Sequence, residues 1–347
     1  MSAVPAERWA TVRRVFDAAV ELPCDQRDEF LSAEDLDDGT RAEVMMLLDA
    51  SDSAMDLPAD RVGPEAPATN ERLPEVLGYR LVRRLAHGGS SRVFEAESLE
   101  NGQTVAVKVI NSCASASGLQ RFRQECRVLS RLSHPGIVRL FETGHTPDGH
   151  VYLAMEFIRG RCIDAWAAES RATVEGRVRT VTEVLGALAH AHAAGVVHRD
   201  IKPHNILVED SGRVRLVDFG VARLHRDDGQ RTGFHTETGN LVGTFAYMSP
   251  EQADGKSGRI GPATDVYQCA VVLYELVTGR LPYEVEDRGA MALLKAILFD
   301  RRVPAREANP LLDARLADAL DRALSREPAE RPQTALLFSD QLASAIA

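Results

Sequence analysis

Apolar residues in the first 57 positions recur at helical spacing. Trp9, Val12, Val15, Phe16, Ala19 and Val20 form one set, followed by Phe30 and Leu31, then Val44, Leu47 and Leu48. Pro23 and Asp38-Gly39 divide this region into two or three short helices. Residues 58–76 carry Pro58, Pro64, Pro67 and Pro74 with Gly63, a composition that predicts an extended linker. From Tyr79 the period shortens. Stretches 80–82, 91–96 and 104–110 read as an antiparallel meander, with turns at Gly88-Gly89 and Asn101-Gly102. An amphipathic helix over 119–132 stops at His134-Pro135-Gly136. Two further strands, 137–141 and 151–157, flank a turn at Pro147-Asp148-Gly149. Beyond Gly160 the pattern predicts helices over 174–194, 264–278, 290–299, 311–324 and 334–345. Segment 264–278 is apolar on nearly every face and belongs inside a helical lobe. Two short apolar runs, 206–208 and 214–217, are separated by Asp210-Ser211-Gly212 and predict a hairpin. The pattern is α+β: a small helical region, a linker, a β-rich lobe and a helical lobe.

The hydrophobic share of 44% and charged share of 27% are those of a soluble globular protein, and 347 residues suffice for two or three domains. The net charge of −10 argues against a general binder of nucleic acid or anionic membrane. The five cysteines, Cys24, Cys113, Cys126, Cys162 and Cys269, are odd in number and scattered without a C-x-x-C. They predict reduced thiols in a cytoplasmic setting. Glu7, Arg8 and Arg13 interrupt the N-terminus, which is unlike a signal peptide. The best candidate for a membrane span, 266–277, is too short, so no membrane segment is expected within the chain.

The chemistry concentrates in His198-Arg199-Asp200-Ile201-Lys202-Pro203-His204-Asn205 and in Asp218-Phe219-Gly220. Asp200 can accept the proton of an attacking hydroxyl, and Lys202 can neutralise charge on a transferring phosphoryl group. Asn205 and Asp218 are hard oxygen ligands suited to Mg²⁺ bridging ATP phosphates. The predicted hairpin holds the two groups side by side. Asp-Phe-Gly alone is weak, but following HRD-x-K-x-x-N at this distance it is very specific.

With these motifs on the page, residues 79–345 resemble the bacterial eukaryotic-like (Hanks-type) Ser/Thr protein kinases. The resemblance implies a bilobal kinase domain over 77–345, with an N-lobe at 77–157, a hinge at 156–160 and a C-lobe at 161–345. It implies ATP with Mg²⁺ (or Mn²⁺), and protein substrates bearing Ser or Thr. Lys108, in Val105-Ala106-Val107-Lys108, by itself reads more readily as a solvated strand lysine; by resemblance it holds the α- and β-phosphates and pairs with Glu125. Met155 matches the gatekeeper, and Glu156 and Ile158 the hinge that binds adenine. Val93 and Ala106 match the residues above adenine and Leu207 the one below; all three are also readable as core.

The glycine loop falls on Ala86-His87-Gly88-Gly89-Ser90-Ser91-Arg92-Val93. Gly88 keeps the family's middle glycine, while Ala86 and Ser91 replace the other two. Left-handed geometry at a non-glycine residue costs about 1–2 kcal/mol, so altered ATP affinity or loop mobility is expected, with the Ser90 and Ser91 hydroxyls available to compensate. Lys202 resembles the Ser/Thr-specific form of the catalytic loop. Thr244 matches the family threonine beside Asp200 and Lys202, Glu251 the glutamate paired with Arg331, and Asp265 the aspartate that orients the loop backbone. Arg199 implies a loop ordered by phosphorylation, with Thr236 and Thr238 as sites of trans-autophosphorylation. The alternative is a pseudokinase or scaffold, suggested by the eroded glycine loop. The N-terminal helices read as a packing or regulatory subdomain, or as a partner-recruiting module.

Overall fold

The computed structural model describes residues 73–88, 91–110, 126–219, 245–254, 257–285 and 290–347, with isolated positions between 11 and 44. At those isolated positions the backbone is largely helical, and Val15, Ala19, Leu31 and Val44 are buried. Arg14 pairs with Glu34 at 2.8 Å across the segment.

A five-stranded antiparallel sheet follows, with order β1-β2-β3-β5-β4: β1 Tyr79–Gly88, β2 Ser91–Ser98, β3 Thr104–Ile110, β4 Leu140–His145 and β5 Val151–Glu156. Phe94, Val105, Val107 and Val109 alternate inward with Tyr152 and Ala154 to form its core. The turn glycines Gly102 and Gly149 have φ of +71° and +88°, as the Asn-Gly and Asp-Gly signals require. β1 is far longer than the expected 80–82, because two bulges let it follow β2 as far as Gly88 opposite Ser91.

The expected strand over 137–141 is displaced to β4. Its first residues are claimed by the other lobe: Ile137 bridges Leu216, and the Val138 N–H donates to the Leu216 carbonyl at 3.0 Å. The loop before β4 therefore ties the two lobes together.

The second lobe contains a small sheet, β6 Gly160–Cys162, β7 Ile206–Glu209 and β8 Val214–Leu216. A Cβ at Gly160 would lie 2.8 Å from the Val208 carbonyl, so only glycine allows β6 to approach β7 here. The helices are α1 Ile163–Glu169, α2 Val174–Ala193, α3 Pro250–Ala253, α4 Pro262–Thr278, α5 Ala290–Phe299, α6 Ala305–Ala308, α7 Ala314–Ala323 and α8 Ala335–Ala345. α4 is buried almost throughout, as its continuous apolar pattern requires, and packs against α2. α7 starts three residues later than expected, because Asp313 caps it by accepting from the Arg315 N–H at 2.8 Å. Leu311, outside that cap, is 94% exposed.

Candidate active site

The catalytic-loop candidate leaves α2 through a strained turn. Arg199 has φ of +65°, a left-handed conformation that costs a non-glycine residue about 1–2 kcal/mol. Hydrogen bonds from buried side chains offset that cost. Asp265, fully buried in the first turn of α4, accepts from the His198 and Arg199 N–H groups, each at 2.8 Å. Its second oxygen also meets His192 Nε2 at 2.7 Å. Gln268, one turn along α4, accepts from the Ile201 N–H at 3.0 Å. Gln252 on α3 donates to the Arg199 carbonyl at 2.8 Å and Gln268 to the same carbonyl at 3.3 Å. Asp265 thus has the orienting contacts expected of it. Gln252, Gln268 and His192 escaped the sequence reading, because uncharged amides and a lone histidine carry no motif signal.

His198 is fully buried, and burial pushes its imidazole below the ordinary value despite the carboxylates of Asp265 and Asp200 nearby. The neutral ring donates from Nε2 to the Val217 carbonyl at 3.0 Å, and its Nδ1 accepts from the Asp200 N–H at 3.3 Å. It also packs against Phe219 in a tilted arrangement, with ring centroids 4.5 Å apart.

Those contacts place the Asp200 carboxylate between two donors. Lys202 Nζ lies 3.1 Å from it, and Asn205 Nδ2 donates to it at 3.1 Å and to the Asp200 carbonyl at 2.7 Å. Both amide hydrogens of Asn205 are thereby committed to Asp200. The remaining atom, Oδ1, is a hard acceptor. Asn205 closes the β7–β8 hairpin by accepting from the Val217 N–H at 3.0 Å, which brings Asp218 beside it. Asp218 has φ of +60°, and its carboxylate is ion-paired with Lys108 of β3. The Lys108 side chain is only 9% exposed, so the solvated-strand reading does not hold.

The cleft at this pair is lined from the N-lobe by Ile110, Leu129, Leu140, Leu153 and Met155 and from the C-lobe by Leu216 and Phe219, so that of the expected adenine residues Met155 lines it. Ala106 and Met155 are cross-strand neighbours on β3 and β5, and Val93 lies opposite Lys108. Val93, Met155, Ile158 and Leu207 are half-buried. The Glu156 N–H donates to the Arg139 carbonyl at 2.9 Å. Its side chain is ion-paired with buried Arg215 of β8, which also reaches Glu209 at 3.3 Å. This ionic tie between hinge and C-lobe was not foreseen.

Ala86 and Ser91 correct one expectation. Both sit in extended strand, in β1 and β2, and neither has a positive φ. The left-handed penalty expected at the substituted glycine positions does not arise. Glu125, Gly89, Thr236, Thr238 and Thr244 lie outside the described residues.

Far from the cleft, Glu251 and Arg331 form the expected pair, with two hydrogen bonds of 2.8 Å and both side chains fully buried.

Known proteins are similar to this chain in sequence and in fold. The protein kinase domain family matches residues 79–342. The serine/threonine-protein kinase Pkn3 of Myxococcus xanthus is 35% identical over 291 residues, 80% of this chain and 52% of its own. PknA of Mycobacterium tuberculosis is 34% identical over 77% of this chain and 61% of its own, and PrkC of Bacillus subtilis 31% identical over 74% and 39%. The chain therefore spans between about two fifths and three fifths of the length of these relatives. The solved structure of Rad53 residues 1–466 in complex with AMP-PNP superposes with a TM-score of 0.58 at 26% identity, covering 76% of this chain and 64% of that one. A match over most of the chain, on a two-lobed fold that brings Lys108 to Asp218 and Lys202 and Asn205 to Asp200, identifies the chain as a member of the protein kinase family, of the Hanks type found in bacterial Ser/Thr kinases.

Proposed function

We propose that this chain is an active Ser/Thr protein kinase domain that transfers the ATP γ-phosphoryl group to hydroxyls of protein substrates, its own activation segment among them. The observation that carries the reading is the Asp200 carboxylate held 3.1 Å from both Lys202 and Asn205, one backbone hydrogen bond away from Asp218. Asp200 takes the proton of the attacking hydroxyl, and the Lys202 ammonium stabilises the negative charge that develops. Lys108 holds the α- and β-phosphates, with Glu125 as its partner in the active arrangement. Gly88 and Gly89 offer backbone amides to phosphate, with Ala86 and Ser91 alongside. Val93, Ala106 and Leu207 enclose the adenine, Met155 closes its rear, and the backbone of Glu156 and Ile158 reads its edge.

Protein kinases as a family use ATP and a divalent cation. The residues present fit Mg²⁺, and Mn²⁺ equally. Asn205 Oδ1 and the Asp218 carboxylate are hard oxygens, and Mg²⁺ in such sites takes one or two protein ligands plus phosphates and water. When bound, the cation neutralises charge on the phosphates. No helix among the described residues is long and apolar enough to cross a membrane. We place the domain in the cytoplasm, with no nucleic-acid partner.

Incubation with labelled MgATP is expected to label the chain itself and a generic basic protein, with peptide mapping placing phosphate on Thr236 or Thr238. A chain silent with Mg²⁺ and Mn²⁺, even after prior phosphorylation by an active kinase, would establish the scaffold reading instead.

Asp265→Asn gives a second expected result. The amide has only one acceptor oxygen for the three donors that Asp265 now serves. The Arg199 turn relaxes, and a shift of about 1 Å at Asp200 costs up to roughly 10²-fold in turnover. Transfer rates are expected to fall tenfold or more with nucleotide affinity unchanged; an unaltered rate would remove Asp265 from the positioning role.

A further inference from the structure

His134-Pro135-Gly136 follows the helical turn 126–129 and opens the loop that ties the two lobes. Pro135 has no N–H, so the first backbone donors after His134 are Gly136 and Ile137. The Ile137 N–H donates to the His134 carbonyl at 3.0 Å, and the Gly136 N–H to Nδ1 of the His134 ring, also at 3.0 Å. Gly136 is buried. Its carbonyl accepts from the Leu216 N–H at 2.7 Å, and the Val138 N–H donates to the Leu216 carbonyl at 3.0 Å. Towards α2 there is no spare room: a Cβ at Gly136 would lie 3.2 Å from the Ala187 Cβ and 3.2 Å from His134 Nδ1. The seam between the lobes thus turns on one glycine, gripped by α2, by β8 and by a titratable ring.

A ring nitrogen that accepts is unprotonated, so neutral His134 carries its proton on Nε2. A second proton has to go to Nδ1. There it meets the Gly136 N–H donor to donor, and a buried backbone N–H loses its acceptor. The same charge arises beside the His190 ring of α2, whose centroid is 5.2 Å from that of His134. Burial, and after it the charge of His190, hold the His134 imidazole below its ordinary 6.5. Among the described residues, the other charged groups of these elements are turned elsewhere or stand in solvent. On α2, His192 meets Asp265, and Glu183 is exposed two turns back from His190. On β8, Arg215 is paired with Glu156 and Glu209, and beyond it Asp218 is paired with Lys108. On the segment around the loop, Arg127, Arg131 and Arg139 are exposed.

We propose that His134 is an acid-sensitive latch on the seam between the lobes: protonation of its ring withdraws the acceptor that holds Gly136, and loop 134–138 parts from α2 and β8. Deprotonation closes the latch again. Its stability is present in full above pH 6.5 and is lost as pH falls through the lowered folded value. Release also bears on the proposed activity. Leu216 stands two residues before Asp218, so a freed loop slackens the strand that presents Asp218 to Lys108, and phosphoryl transfer falls in acid. That consequence rests on the kinase reading; the latch itself does not.

Amide hydrogen exchange of the full-length chain, expressed as protection factors, tests the latch without any activity assay. Between about pH 7.5 and about pH 5.5 the Gly136 and Leu216 amides are expected to lose protection by up to about tenfold, the factor by which an open-state ring of ordinary value 6.5 gains protons one unit lower. Amides of β3 and β5 are expected to stay protected. In His134→Asn the side-chain oxygen can accept from the N–H two residues on but does not titrate, so protection is expected to persist at about pH 5.5. An NMR titration of the His134 ring is expected to show a midpoint below 6.5 that coincides with the loss of protection. Protection unchanged by acid in the parent, or equal acid sensitivity in His134→Asn, would overturn the proposal. So would a ring midpoint at or above 6.5. Protection lost equally in β3 and β5 would also overturn it, by making the response a general loosening in acid.

Discussion

Asp200→Asn is expected to lower kcat for phosphoryl transfer by about a thousandfold, with little change in the KM for ATP. The side chains are isosteric, and asparagine keeps an oxygen to accept from Lys202 or Asn205, so the loop has no steric reason to move. What is lost is a group able to take the hydroxyl proton, a contribution of about 10²–10⁴-fold. Stability is expected to change little, because asparagine keeps the shape of the side chain and an oxygen that accepts from Lys202 or Asn205. The strain of the loop is borne instead by Asp265, Gln252 and Gln268, none of which Asp200→Asn alters. Steady-state kinetics alongside thermal denaturation makes the check. A loss under tenfold would remove Asp200 from the role of base, and a large fall in Tm would make it a structural residue.

The groups that meet phosphate and cation were legible because their chemistry is tied to short spacings: Asp200, Lys202 and Asn205 share one loop, and Asp218 follows at the end of the next hairpin. Lys108 was legible only through resemblance, since one cation in an apolar strand has no chemistry of its own until a carboxylate faces it. The frame behind the loop was not legible. Gln252 reaches Arg199 across 53 positions and Gln268 reaches Ile201 across 67, and an amide announces neither contact. Arg215 sits in a strand three residues before Asp218, where an isolated arginine reads as surface; its burial follows from Glu156 and Glu209 converging on it. The misplacement of β4 has a similar origin. Ile137 and Val138 are as apolar as a strand should be, but their backbone pairs with Leu216 of the other lobe, and an apolar run does not say which sheet claims it. At Ala86 and Ser91 the error lay in assigning glycine geometry to positions that are plain strand.

Arg331→Met is expected to destabilise the fold by about 3–5 kcal/mol, the range for removing one partner of a fully buried ion pair. At roughly 2–4 °C per kcal/mol, Tm falls by on the order of 10 °C. The size of the effect follows from how completely Arg331 is used. Its Nε donates to the Ser325 carbonyl, Nη1 to Glu251 and the Ala263 carbonyl, and Nη2 to Glu251 and the Arg326 carbonyl. All five N–H groups are satisfied, and the guanidinium stacks on Tyr267 at 4.7 Å. Methionine fills the volume but leaves Glu251 buried with the Thr264 hydroxyl, at 2.7 Å, and a backbone hydrogen bond to stabilise its charge. Replacing Glu251 by methionine as well is expected to recover much of the loss, because no buried charge then remains. The acid response separates this account from simple loss of packing. In the native protein burial alone would raise the Glu251 carboxyl, but the hydrogen bonds and charge of Arg331 outweigh it and hold it below the ordinary 4.5. The stability from this pair is present above pH 4.5 and is lost as pH falls through the lowered folded value. In Arg331→Met burial acts without that opposition and the carboxyl rises, so protonation relieves the variant while it harms the parent. The stability gap is therefore expected to narrow as pH falls through the carboxylate range, and a gap independent of pH would reduce the effect to packing. The damage also reaches the active site, because Glu251 anchors α3 and the next residue, Gln252, holds the Arg199 carbonyl at 2.8 Å. A residue remote from the phosphates thus sets the backbone that aims Asp200.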